Sequence, residues 1–238
     1  MTLFWTRTWD ALSAALFPTA CVSCGGLVSA HDPPLCQKCW GLLPAMSEPL
    51  CRCGCPLPGS DGEDCGRCRR GRSGILEGAS LGAYAGTLRD CVVALKYQGR
   101  HRTAARLSIR LMGSARCQRI LDASDVLVGV PLHPEKERQR GFNQAHLLAA
   151  ALSGECGLPV SRGLVRTRNT RTQTDLSAGE RRRNVRNAFA VRPGNFSGAA
   201  VTLVDDVTTT GATLRECALT LLAQGAREVR SITVARAE

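Results

Sequence analysis

Two sets of residues in this chain have the types and spacing to do chemistry. The first is the run at 201–213, V-T-L-V-D-D-V-T-T-T-G-A-T. Val201, Thr202, Leu203 and Val204 suit a strand buried in a parallel sheet, which Asp205 and Asp206 then stop at its C-terminal edge. Thr213 opens a helical pattern through Leu214, Cys217, Ala218, Leu221 and Leu222. A helix N-terminus presents unpaired N–H groups and the positive end of the peptide dipoles, and a glycine turn lets successive amides converge on one anion. With hydroxyls from Thr208, Thr209, Thr210 and Thr213 beside Gly211 and Ala212, the turn suits a phosphate monoester. No lysine lies in it and the Walker A spacing is absent, which argues against a nucleoside triphosphate cradle. Asp205 and Asp206, one sugar's width away, are placed to accept hydrogen bonds from vicinal ribose hydroxyls, so the combination describes a 5-phosphoribosyl group.

The second set is the cysteines. Of thirteen, nine crowd between Cys21 and Cys68 in closely spaced groups, which in a chain without a secretory leader means metal before disulfides. Cys21 with Cys24, and Cys36 with Cys39, are two Cys-x2-Cys knuckles that supply four thiolates for a closed, structural zinc. Such a site contributes about 10–16 kcal/mol of apparent binding energy to a module with little core. A further set comprises Cys51, Cys53 and Cys55, then the knuckle Cys65 and Cys68. The favoured second zinc site takes Cys51, Cys53, Cys65 and Cys68, although spacing leaves open which two of the first three thiols ligate.

The elements around these sets organise the chain. Residues 1–18 read as an N-terminal amphipathic helix, with Trp5, Trp9, Leu12 and Leu16 on one face and Pro18 closing it; residues 19–72 form the single or double ribbon. A basic, glycine-rich stretch at 69–74 links it to the α/β domain of 73–238. There, 75–84 suits a strand, 87–97 a helix, 125–130 a second buried strand and 228–235 a last one. The strand at 125–130 ends in Pro131, Leu132 and His133, followed by Lys136, Arg138 and Arg140, and this loop should share one crevice with 205–213. Residues 162–192 hold nine arginines against Asp175 and Glu180, a mobile polar arm by composition.

The net charge of +11 is uneven: residues 1–72 carry seven Lys and Arg against six acids, so +10 falls on 73–238, a balance that favours phosphate-bearing ligands, nucleic acid included. No run of eighteen apolar residues predicts a membrane span, and the basic-then-apolar pattern of a signal peptide is missing from the first residues, so a cytoplasmic protein without stable membrane insertion is expected.

Residues 204–213 resemble the phosphoribosyl-diphosphate (PRPP) motif of type I phosphoribosyltransferases. The order of the Cys knuckles, Leu95-Lys96-Tyr97, Pro131-Leu132-His133, Arg140-Gly141-Phe142-Asn143-Gln144, Gln173 with Leu176, Arg181-Arg182-Arg183-Asn184-Val185 and Ala188-Phe189 resembles the ComF family over nearly the whole chain. The resemblance implies a type I phosphoribosyltransferase fold, a mostly parallel sheet flanked by helices, behind a zinc-ribbon module. It implies that Asp205 and Asp206 hold the ribose hydroxyls, that Thr208, Thr209, Thr210, Gly211, Ala212 and Thr213 hold the 5-phosphate, and that residues 130–133 hold the diphosphate, bridged by Mg2+ largely through water. It further implies natural competence, with single-stranded DNA and a DNA-dependent helicase as partners. Arg171, Arg181, Arg182 and Arg183 are then candidates for a catalytic flexible loop or for nucleic-acid contact. In a working transferase the acid pair would be catalytic, stabilising an oxocarbenium-like state while ribose 5-phosphate passes to an acceptor that no residue identifies. A vestigial sugar-phosphate site on a ribbon scaffold is the third reading. One departure concerns the second ribbon: Leu50 stands where the family's first thiol falls, with Cys51 one place late.

Overall fold

The computed structural model describes residues 19–28, 34–46, 48–57, 64–71, 73–97, 101–169, 178–192 and 196–237. The helix expected over 1–18, residues 98–100 and the middle of the polar arm, 170–177 with Arg171 and Gln173, lie outside the described residues.

The body is a parallel sheet of four strands. β3 (Gly78–Ala83), β4 (Val126–Gly129), β7 (Ala200–Thr208) and β8 (Glu228–Arg236) lie in the order β3-β8-β7-β4. Their sequences are almost continuously apolar because both faces are covered. Alternation along each strand divides the core. Leu127, Val204, Ile232 and Val234 face one layer, built from α3 (Gly86–Tyr97), α4 (His101–Met112), α5 (Ala115–Asp122) and most of α7 (Gln144–Cys156). Val128, Val201, Leu203 and Val229 face the other, built from α9 (Ala212–Ala223) and the end of α8 (Ala178–Val185). Among the elements not foreseen is a hairpin of β5 (Leu164–Arg166) and β6 (Phe189–Val191), antiparallel to each other, which brackets the arginine-rich segment. Within that segment α8 is helical and buries Val185, so part of the supposed arm is a packed element carrying Arg181, Arg182 and Arg183.

The ribbons complete this body. The first begins with a two-residue pairing, β1 (Thr19–Ala20) against β2 (Leu27–Val28), and continues into α1 (Gln37–Trp40). Leu35 and Trp40 are buried in the same cluster as α3 and α4, and the Arg110 guanidinium covers the Trp40 ring at 5.3 Å. The second, with α2 (Gly66–Arg69), has among its described residues a core of Cys51, Leu57 and Cys68, too small to hold itself together without a metal. Both ribbons cap the outer edge of β3. The Gly78 amide donates to Arg52 O (2.8 Å) and the Ala83 amide to Pro44 O (3.2 Å), satisfying groups that an edge strand would otherwise expose.

Glycine at position 78 makes this approach possible. A Cβ there would lie 2.6 Å from the Cys53 carbonyl oxygen and 2.9 Å from Ser231 Oγ. Gly78→Ala should therefore push the second ribbon off the sheet and cost about 1–3 kcal/mol. Thermal unfolding checks this, and an unchanged melting temperature would show that the ribbon is not seated there.

Candidate functional site

Strand β7 carries the site, and it runs further than its sequence suggests. Asp205 pairs with Thr233, Val207 with Ala235 and Thr208 with Arg236 of β8, so the acids sit inside the strand and not at its end. Neighbouring β8 supplies the partners that keep the backbone extended past two charged residues. Consecutive strand side chains alternate, so the two carboxylates leave the strand on different sides, yet they stay within side-chain hydrogen-bond reach of each other and line one cavity.

Asp206 follows the parity of Val204, toward α3. Its carboxylate is 2.8 Å from Lys96 Nζ, with side-chain exposures of 6% and 23%. Burial alone would depress the Lys96 ammonium, but Asp206 outweighs it and holds that group above its ordinary value. Asp205 follows the parity of Leu203, toward α9 and β5. Burial and the adjacent Asp206 charge push its carboxyl well above the usual carboxylate range, with the Asp206 amide donating to Oδ1 at 2.9 Å in partial compensation.

Both acids line a cavity of about 360 Å³, as do Val130, Pro131, Leu132, Thr209 and Thr213. The sequence-predicted loops thus meet in one crevice at the carboxyl ends of the parallel strands, where ligands of open α/β sheets bind. The 130–132 segment is pinned by its own backbone: the Val130 amide donates to Val204 O (2.9 Å) and Asn143 Nδ2 donates to Val130 O (3.1 Å). His133 is not in the cavity wall. It caps α6 (Pro134–Arg140), its Nδ1 accepting from the Glu135 amide at 3.3 Å.

The threonines also divide. Thr208 belongs to the strand and is 4% exposed; its Oγ1 is buried with no hydrogen-bond partner among the described residues. Thr209 and Thr213 face the cavity. Thr210 Oγ1 accepts from the Ala212 amide at 3.4 Å, and its carbonyl accepts from Arg67 of the second ribbon. Gly211 caps α9 at φ 70°, a left-handed conformation that favours glycine.

Sequence reasoning placed Lys136 and Arg140 on the crevice loop but missed Lys96 and Arg166. Lys96, Lys136, Arg140 and Arg166 line the cavity against the two carboxylates. Burial, together with Arg166 and Arg140 nearby, depresses the Lys136 ammonium, and burial likewise depresses Arg166. Like charges crowded in this way are what an anionic ligand would relieve. Lys96 read as an ordinary helix-terminal cation, and Arg166 had no signal because its strand was unrecognised; the triplet Leu95-Lys96-Tyr97 in the family resemblance was the one available hint for Lys96. The side chains of Arg181 and Arg182 lie outside what is described; Arg183 is exposed and is not in the cavity wall.

The cysteines gather as two sets. The sulfurs of Cys21, Cys24, Cys36 and Cys39 lie within 4.8 Å of one another, with Cys24 and Cys36 3.8 Å apart. A tetrahedral zinc with bonds of ~2.3 Å needs sulfur separations of ~3.8 Å, so this set fits a structural zinc. In the second set the quartet is Cys51, Cys53, Cys55 and Cys65, with Cys53 3.6, 3.6 and 3.8 Å from the others. Cys55 takes the place expected for Cys68, which groups instead with Cys51 and Asp64. The reason is local: the Gly54 amide donates to Cys51 O at φ 76°, a turn that folds Cys55 back onto Cys51. Burial would raise the thiols of Cys21 and Cys65, but backbone amides, Cys24, Cys36 and Ser23 for the first and Cys68 and Arg67 for the second, bring each down to about 6. Burial moves other members of the two sets the opposite way, Cys39 and Cys53 up to about 12 and Cys55 up to about 11, and a zinc ion, which binds thiolates, would displace those protons.

The class these features define is a parallel α/β protein with a crevice of acids, threonines and cations at the carboxyl ends of its strands, fronted by two cysteine ribbons. A double zinc ribbon domain model matches residues 12–69. The chain is 35% identical over 181 residues to competence protein F of Haemophilus influenzae, covering 74% of this chain and 79% of that protein. It is 37% identical over 182 residues to the DNA utilization protein YhgH of Escherichia coli K12, with the same coverage of 74% and 79%. The chain belongs to this competence protein F (ComF) family. Among solved structures, the glutamine PRPP amidotransferase of B. subtilis aligns at 22% identity and a TM-score of 0.38, over 60% of this chain and 30% of that one. No helix among the described residues is long and apolar enough to cross a membrane.

Two predictions follow from the geometry. Cys53→Ser, at the centre of the second quartet, should lower the zinc released on denaturation from about two ions per chain to about one, and an unchanged yield would dissolve that site. Asp205 has a folded-state value above its unfolded value of about 3.9, so its ionised form costs stability at neutral pH, progressively less as pH falls toward that value. Asp205→Asn should therefore raise the melting temperature by roughly 2–4 °C at pH 7.5, with a smaller gain at pH 5.5. A lower melting temperature at pH 7.5 would contradict the burial strain.

Proposed function

We propose that the cavity binds PRPP or a closely related sugar phosphate, and that the protein uses this site in handling single-stranded DNA during uptake into the cytoplasm. The observation that carries the first half is the convergence of Asp205, Asp206, Thr209 and Thr213 with four cations in one crevice. Thr209, Thr213 and the start of α9 meet the 5-phosphate, supported by the unfilled Thr208 hydroxyl. Asp205 accepts from the ribose diol, and the cost of its ionisation falls when a hydroxyl donates to its charged form. Lys96, Lys136, Arg140 and Arg166 balance a diphosphate beside residues 130–132, with Mg2+ supplying further neutralisation when bound.

The second half is supported by the names of the relatives, a competence protein and a DNA utilization protein, and by the +10 charge on residues 73–238. The β5–β6 hairpin brackets the arginine-rich segment and brings Arg166 of that hairpin into the cavity wall, so strand contact and sugar-phosphate binding would communicate through one element. A helicase partner belongs to the same reading. A working transferase is the second reading, favoured by the intact acid pair at the cavity's floor, which would stabilise positive charge developing on the ribose.

Calorimetry of PRPP with Mg2+ tests the binding site. The wild type should bind, and an Asp205→Asn, Asp206→Asn double variant should bind at least tenfold more weakly; equal affinity would remove the acids from the site. Release of diphosphate in the presence of bases and amines separates the transferase from the binding protein. For DNA, neutralising Arg181, Arg182 and Arg183 together should weaken single-strand affinity and flatten its salt dependence, whereas an unaltered salt slope would take the arginine segment out of the interface.

A further inference from the structure

Two arginines tie the second ribbon to the bend ahead of α9. Arg67 of α2 donates to the Thr210 carbonyl. On the other flank Thr208 is in register with Arg236 of β8, whose Nη2 donates to the Cys53 carbonyl at 3.1 Å. Both ties end on the second quartet, because Arg67 lies between Cys65 and Cys68 in sequence and Cys53 stands 3.6, 3.6 and 3.8 Å from the other three sulfurs. The cavity left between ribbon and bend is about 30 Å³, room for about one or two waters, so the two surfaces are packed together. The Thr210 contact also fixes a peptide orientation. In a planar trans peptide the carbonyl oxygen and the following N–H point in opposite directions, so a Thr210 carbonyl held by the ribbon turns the Gly211 N–H away from the ribbon. Gly211 sits at φ 70°, and glycine tolerates either orientation of the peptide before it, so a donor on that carbonyl is what selects one. A phosphate at the start of α9 needs the amide turned toward the crevice that Thr209 and Thr213 line. Arg67 lines the small cavity and not the crevice, so it acts on the crevice through the bend. What holds Arg67 in turn is the metal site: α2 is one turn long, and the Cys65 amide at its start donates to Cys51 Sγ at 3.2 Å.

We propose that the metal-held second ribbon orients the 210–211 peptide through Arg67, which makes Arg67 a positioning residue of the sugar-phosphate site and couples zinc binding in the second quartet to phosphate binding in the crevice. The proposal rests on the 5-phosphoribosyl reading above and adds what sets the affinity of that site. Coupling of this kind is reciprocal: a ligand that favours the oriented bend strengthens the hold on the metal, and loss of the metal weakens the ligand by the same factor. The first ribbon packs instead against α3 and α4, so its quartet is an internal control.

The test is chelator competition for zinc, with calorimetry of PRPP, on the zinc-loaded full chain as wild type, Cys53→Ser, Arg67→Ala and Arg67→Lys. In the wild type, saturating PRPP with Mg2+ should raise the chelator concentration that strips the second-ribbon zinc about fivefold or more, the low end of known couplings, and leave the first-ribbon step in place. Cys53→Ser, holding one zinc, should bind PRPP more weakly by a similar factor. Arg67→Ala should keep both zincs, bind PRPP more weakly and lose the protection of the second zinc, whereas Arg67→Lys, whose ammonium can still donate to the carbonyl, should keep more PRPP affinity than Arg67→Ala. Should Arg67→Ala release only one zinc, protection in the wild type decides the coupling and the behaviour of Arg67→Lys decides the residue. A second zinc stripped as easily with PRPP as without it, in a wild type that binds PRPP, would overturn the coupling and leave the sugar-phosphate site standing. Undiminished protection in Arg67→Ala would overturn the role of Arg67. A wild type that binds no PRPP would instead overturn the underlying reading of the crevice, and the coupling with it.

Discussion

The site depends on where a pleated strand must put two consecutive charges. β7 continues through Asp205 and Asp206 because β8 pairs with it on both sides of the acids, and the two carboxylates, still in reach of each other, take different partners. A buried carboxylate is tolerable only with a counter-charge or with its proton retained. Both solutions occur here, side by side. Asp206 takes the Lys96 ammonium at 2.8 Å, and Asp205, without so close a cation, is held toward its neutral form. The acids that look equivalent in sequence therefore have different chemistry: one is already neutralised, the other is strained until something donates to it.

The ribbons are part of this arrangement and not an appendage. The carbonyls of Cys51, Arg52 and Cys53 are held by groups of the α/β domain: Arg116 Nη2 donates to the first two at 2.7 Å, the Gly78 amide also donates to Arg52 O, and Arg236 Nη2 donates to Cys53 O at 3.1 Å. The second ribbon returns the contact through Arg67, which donates to the Thr210 carbonyl in the bend ahead of α9. Metal-held turns are rigid, since four thiolates fix the backbone that carries them. A rigid module that covers the edge of β3 and braces the threonine bend explains why a chain with a sheet of four strands can keep its crevice open without a larger sheet around it.

Much of this was legible beforehand because the signals were local. The apolar runs at 126–129 and 201–204, the helical spacing after Thr213 and the Cys-x2-Cys knuckles each specify their element through neighbours within a few residues. The extent of β7 was not legible, because two acids look like a stop unless the pairing of β8 is known. The β5–β6 hairpin was missed since its strands are three residues each and separated by 22 positions of polar chain. His133 looked like a ligand residue beside Pro131 and Leu132, yet its imidazole is spent on capping a helix.

The amino-acid sequence alone determined the parts list: a parallel α/β sheet, an acid pair followed by a threonine-glycine bend, and enough paired thiols for zinc. These are properties of short windows, where side-chain period, turn chemistry and ligand spacing act directly. Only the tertiary structure decided which groups meet. It gathered Cys55 in place of Cys68 in the second quartet, brought Lys96 and Arg166 from two separate places to the acids, and gave Asp205 and Asp206 unlike surroundings. Those outcomes turn on burial and on charge separation across tens to more than a hundred residues of chain, and such distances leave no mark in any local pattern.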